Sequence, residues 1–73
     1  MSRVEVKSDV TGTVWKIEMS VGDAVQEDDE IMILESMKME IPAMAPAAGK
    51  LVEITVSESE SVEEGQVLAI IES

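Results

Sequence analysis

The chain is written twice. Displaced by 37 positions, residues 1–36 align with residues 38–73 without a gap. "GTVWKIEMS" (12–20) falls on "GKLVEITVS" (49–57), and "AVQEDDEIMILES" (24–36) falls on "SVEEGQVLAIIES" (61–73). Gly12/Gly49, Ile17/Ile54, Ser20/Ser57, Val25/Val62, Glu27/Glu64, Glu35/Glu72 and Ser36/Ser73 are identical pairs. The apolar positions Val14/Leu51, Trp15/Val52, Met19/Val56, Ile31/Leu68, Ile33/Ile70 and Leu34/Ile71 also match. A copy of about 36 residues is too short to close a core of its own. The two copies, 1–36 and 38–73, must therefore share one core about a pseudo-two-fold axis, as a single domain spanning 1–73.

The local patterns are those of strands. Trp15, Ile17 and Met19 alternate with Lys16 and Glu18, and Val52, Ile54 and Val56 alternate with Glu53 and Thr55, the period of a strand with one apolar face. "IMIL" (31–34) and "VLAII" (67–71) are continuous apolar runs, as expected of strands buried on both faces. Turn signals lie between them at 21–23, 27–29, 57–59 and 63–65. Gly65 suits a left-handed turn residue better than its counterpart Asp28. Pro42 and Pro46 oppose helix and favour an extended edge segment. "SESESVEEGQ" (57–66) is rich in Glu but has too few apolar residues for a buried helical face, and Gly65 interrupts it. The expectation is an all-β flattened barrel or sandwich of about eight short antiparallel strands in two four-stranded sheets, with Trp15 packed in its core or along a strand.

Composition narrows the chemistry. With no Cys and no His, the chain lacks thiolate nucleophiles, disulfides, and the side chain most used in acid–base catalysis and metal ligation. Five basic against sixteen acidic residues give a net charge of −11, which repels nucleic acids and anionic membrane surfaces. No apolar run has the length of a membrane span, and "MSRVEVK" lacks the apolar core of a signal peptide. These features predict a cytoplasmic, monomeric protein. The acidic run "EDDE" (27–30) lacks the spacing of a calcium loop, so no metal site is expected.

The join of the two copies, "ILESMKMEIP" (33–42), is the place where the symmetry breaks. Lys38 sits between Met37 and Met39, with Glu35, Ser36 and Glu40 outside them, and the chain must reverse here. An exposed hairpin tip is the expectation. It has no counterpart in the second copy, whose matching position lies beyond Ser73. Lys38 read alone is a solvated turn lysine, and Met37 and Met39 read alone are core fillers, at least one of them partly buried.

With "ESMKME" at the join of two all-β repeats, the sequence resembles the biotinyl/lipoyl-attachment domain family, in particular its small free-standing bacterial members. The resemblance implies a quasi-two-fold flattened barrel without the thumb insertion of some carboxylase carriers, since the gapless alignment leaves no space for one. It implies a non-catalytic carrier whose Lys38 is biotinylated by a biotin protein ligase. Such a carrier shuttles carboxyl groups between biotin carboxylase and carboxyltransferase components on other chains, within a carboxylase or decarboxylase. Met37 and Met39 then serve as apolar handles for the ligase, and Glu35, Ser36 and Glu40 flank the hairpin. Ser36 stands where such carriers usually have Ala, and Asp28 where many have a turn Gly. The alternative is a lipoyl carrier modified on the same lysine, although lipoyl domains usually read Asp-Lys-Ala at the tip. A third reading is an unmodified acidic interaction or metal-binding module. An ordinary lysine amine is neutral in only roughly one molecule in a few thousand at pH 7, and nearby carboxylates favour its charged form. Deprotonation thus falls to the ligase, and presentation to this domain.

Overall fold

The computed structural model describes residues 2–73. Eight strands follow one another: β1 (Arg3–Lys7), β2 (Gly12–Ile17), β3 (Ala24–Val25), β4 (Glu30–Ser36), β5 (Met39–Met44), β6 (Gly49–Ile54), β7 (Ser61–Val62) and β8 (Val67–Glu72). They form two antiparallel sheets, ordered β1-β8-β6-β3 and β5-β4-β2-β7. Moving each strand of the first sheet to its partner in the other copy yields the order of the second sheet. Each sheet therefore mixes strands from both copies, and neither copy holds a complete sheet. The expected fold class, with its quasi-two-fold symmetry, is the one observed. Residues 57–66 hold turns and β7 rather than a helix, β5 with Pro42 is an edge strand, and residues 18–23 join β2 to β3 without an insertion.

The core repeats the symmetry residue by residue. Val14 and Leu51, Ile31 and Leu68, Met32 and Ala69, Leu34 and Ile71, and Val25 and Val62 are all buried as equivalent pairs. Each fully buried aliphatic side chain contributes about 1.5–3 kcal/mol. In that shared core lies the stability that neither copy can reach alone. No helix among the described residues is long and apolar enough to cross a membrane.

Two sequence expectations are corrected by β-bulges. In β2, Val14 pairs with Leu34 but Lys16 pairs with Ile33, so Trp15 is an extra residue. The bulge turns the alternation over: Val14 enters the core, while Trp15 lies 51% exposed on the outer face and is not a core residue. The equivalent bulge at Val52 places Leu51 inside. In β4, Glu30 pairs with Met44 and Met32 with Ala43, which leaves Ile31 extra; in β8 the same happens at Leu68. Each bulge sends two consecutive side chains inward, Ile31 with Met32 and Leu68 with Ala69. The continuous apolar runs thus record a bulge rather than burial on both faces, and Ile33 and Ile70 remain half-buried on the outside.

The turns are duplicated as well. Asp23 and Asp29 accept hydrogen bonds from the backbone N–H of Ser20 and Gln26, both at 2.9 Å. Glu60 and Gln66 do the same for Ser57 and Glu63, both at 3.0 Å. Asp29, within the "EDDE" run, is thereby engaged as a turn acceptor, and no acidic cluster suited to a metal ion occurs among the described residues. Apart from the Met37–Lys38 join, two left-handed turn positions recur in each copy, one of them glycine: Gly22 (φ +102°) with Asp28 (φ +73°), and Ser59 (φ +74°) with Gly65 (φ +86°). The glycine of one copy occupies the place of the non-glycine of the other.

Two outcomes are expected. Peptides 1–36 and 38–73 alone should give the circular dichroism of unfolded chains, because each lacks strands of both sheets. Ser59→Gly should raise stability by about 0.5–1 kcal/mol in urea denaturation, with Asp28→Gly gaining less, since a left-handed Ser carries a steric penalty that Asp partly escapes.

Candidate functional site

β4 and β5 are joined by a two-residue turn, Met37–Lys38, with Ser36 opposite Met39 and Glu35 opposite Glu40. Both turn residues have positive φ, +53° and +66°. This is the backbone of a type I′ hairpin, whose twist matches that of the flanking strands. Such turns favour Asn-Gly, and side chains carrying a Cβ cost of order 1 kcal/mol each at these angles. The pair Ser36 and Met39 at the root of this turn is matched in the other copy by Ser73 and Ser2, where Ser73 N donates to Ser2 O at 2.9 Å.

The tip stands clear of the body. Lys38 is exposed, Met37 is 92% exposed and Met39 is 61% exposed. Neither methionine fills the core. Among the described residues the ion pairs are Arg3–Glu72 at 3.4 Å and Glu5–Lys7 at 3.6 Å, so the Lys38 Nζ is held by no carboxylate. Glu35 and Glu40, directly opposed across the strands, are both exposed and set two like charges beneath the tip.

The root of the hairpin is fastened from a direction that the motif does not reveal. The Ser36 hydroxyl donates to the Thr11 carbonyl at 3.0 Å, bridging β4 to the segment before β2. Next to it, Gly12 lies so close to the Glu35 carbonyl oxygen that a Cβ would collide with it. The equivalent Gly49 would place a Cβ 2.5 Å from the Glu72 carbonyl oxygen. Two identities in the repeat, glycine and glutamate, thus meet at one close backbone approach. Thr11 also accepts the Glu64 N–H through its hydroxyl at 3.2 Å, tying this support to the turn after β7. Thr11 and Gly12 are site residues that sequence reasoning missed. The recurrence of glycine at 12 and 49 was the available signal, and only its meaning was hidden. Ser36, by contrast, does more than substitute for another small residue.

An amine raised on a strained two-residue turn, braced from below and bound by no counterion, suits attack on an acyl carbon delivered by another protein. A covalently attached acid therefore fits these residues. The family described as "Biotin-requiring enzyme" matches residues 5–71. The chain belongs to the biotin/lipoyl attachment family. It is 41% identical over 63 residues to the biotin/lipoyl attachment protein of Bacillus subtilis (strain 168), covering 86% of each chain. It is 34% identical over 67 residues to the "Biotinylated protein TB7.3 homolog" of Mycobacterium leprae (strain TN), covering 92% of this chain and 94% of that one. Among solved structures, the Kluyveromyces lactis urea carboxylase contains a similar region, with a TM-score of 0.92 and 34% identity. That match covers 97% of this chain and 6% of the carboxylase. As a member of the family the chain is a non-catalytic carrier domain for covalently attached biotin, one that shuttles carboxyl groups in biotin-dependent carboxylases.

The left-handed backbone at the tip yields a direct test. Replacing Met37-Lys38 by Asn-Gly should stabilise this carrier by about 1–2 kcal/mol, because the new pair prefers the turn already formed. A thermal melt that failed to rise would show that the angles at 37 and 38 cost nothing.

Proposed function

We propose that Lys38 is the residue that receives biotin, loaded by a biotin protein ligase. The observation that carries this reading is positional: Lys38 alone among the lysines stands on an exposed, left-handed two-residue tip. Before reacting, the Lys38 ammonium would give up a proton to a base on the ligase. The neutral Nζ would then attack the carbonyl carbon of biotin activated by ATP as its acyl-adenylate, forming the C–N bond as the acyl–O bond to phosphate breaks, with AMP leaving and the second amine proton passing to solvent. Once acylated, the residue has no charge to hold it to Glu35 or Glu40, and its long stem becomes a swinging arm. Bound biotin supplies the chemistry of carrying a carboxyl group. The protein supplies a rigid root and a high local concentration at successive active sites.

Met37 and Met39 are the handles by which the ligase grips the tip, their exposed thioethers adapting to an apolar recess. Glu35 and Glu40 flank that grip, and Ser36 sets its height above Thr11. The biotin carboxylase and carboxyltransferase components are separate chains in this reading, and the domain works as a cytoplasmic monomer built from its two repeats. A lipoyl carrier on the same lysine is the second reading. It is favoured by the family's dual character and opposed by methionines rather than an acid and an alanine beside the lysine.

Lys38→Arg and Lys38→Ala should each abolish avidin reactivity and the biotin mass increment while leaving the fold intact. A lipoyl increment on the native protein would transfer the assignment to the second reading, and labelling that survived either substitution would refute Lys38.

A further inference from the structure

The pseudo-two-fold gives every outer-face residue an internal control, and the two outer faces differ sharply. On the sheet containing β1 and β8, Arg3 pairs with Glu72 and Glu5 with Lys7, so both ion pairs found among the described residues neutralise this face. Their counterparts on the hairpin sheet, 37 positions away in each case, are Glu40 with Glu35 and Pro42 with Met44. One ion pair is thus replaced by two opposed carboxylates, and the other by two apolar side chains. The bulge in β2 adds Trp15, 51% exposed, beside Lys16, which is in register with Ile33; Ile33 in turn is opposite Pro42. Met44, 49% exposed, follows on the same strand opposite Glu30. Trp15, Ile33, Pro42 and Met44 therefore form an apolar band across β2, β4 and β5, with Glu30, Glu35 and Glu40 on its margins, running toward the Lys38 turn.

We infer that this outer face is the docking surface for the ligase that loads Lys38, which meets it with an apolar recess rimmed by lysine or arginine; the inference rests on the Lys38 reading above. Charge decides against other occupants. A second copy would bring another −11 against the same acidic margin, and anionic lipids and nucleic acids are repelled likewise. Need decides for the ligase. Lys7, Lys16 and Lys50 are exposed just as Lys38 is, so exposure cannot select the amine, and recognition has to come from the surface around it. Tryptophan, here at the β2 end of an otherwise small apolar patch, is among the residue types that most often anchor such contacts.

The test uses the full chain with a purified biotin protein ligase, biotin and ATP. Trp15→Ala, and the double change Pro42→Glu with Met44→Lys, which installs the residues of the equivalent face, should each raise KM for the carrier about tenfold or more with kcat nearly unchanged. Glu53→Ala, exposed on β6 in register with Ile70, should alter neither. Added NaCl should raise the wild-type KM, as acidic margins facing a basic rim require. Should a variant fold poorly, hydrogen exchange on the wild-type carrier with ligase should still protect β2, β4 and β5 and leave β1 and β8 unchanged. Lys38 loaded with wild-type KM in both face variants, or protection spread equally over both sheets, overturns the docking surface alone. A carrier that takes no biotin, or takes it in Lys38→Arg, overturns the Lys38 reading and this inference together.

Discussion

The structure depends on strand pairing between the two copies. Each copy contributes the inner strand pair of one sheet and the outer strands of the other, so the hydrogen bonds that complete either sheet run between copies. The apolar residues follow the same rule, with equivalents such as Leu34 and Ile71 meeting in a single core. This coupling explains how 73 residues without a cysteine can hold a short hairpin in place. β4 is paired on both sides, by β2 and β5, and the tip inherits its position from a strand at the centre of a sheet.

Symmetry provides the scaffold, and departures from it provide the function. The tip at Met37–Lys38 occurs once, and its left-handed backbone is carried by residues that prefer other angles. The outer faces diverge as well, with ion pairs on one and an apolar band running from Trp15 to Met44, with acidic margins, on the other. Both departures lie on the sheet that holds Lys38. A carrier has to be inert enough to move between enzymes and distinctive enough for one of them to select a single amine. Dividing those requirements between two equivalent faces is a physical solution to both.

Much of the fold was legible in the sequence because duplication is a constraint that spans the whole chain. The gapless repeat fixed the number of strands, the turn positions and the equivalence of the two sheets, and the lone lysine tip was visible as the point where the repeat had nothing to match. The turn itself was legible for the same reason: Lys38 between its methionines is singled out by its neighbours in the chain, and it lies on an exposed two-residue turn.

What the sequence could not decide was which side of a strand a residue faces once the alternation is interrupted. Period-two reasoning grouped Trp15 with Ile17 and Met19 on one apolar face. A single extra residue separates it from them, and whether a strand bulges depends on the register its neighbour imposes, here Val14 on Leu34 and Lys16 on Ile33. The support beneath the tip was hidden similarly, because Thr11 and Ser36 are 25 positions apart and only the folded backbone brings carbonyl and hydroxyl together. The linear order of residues thus determined the duplication and the position of the exposed lysine turn. Packing between strands distant in the chain decided what braces that amine and which apolar surface lies exposed beside it.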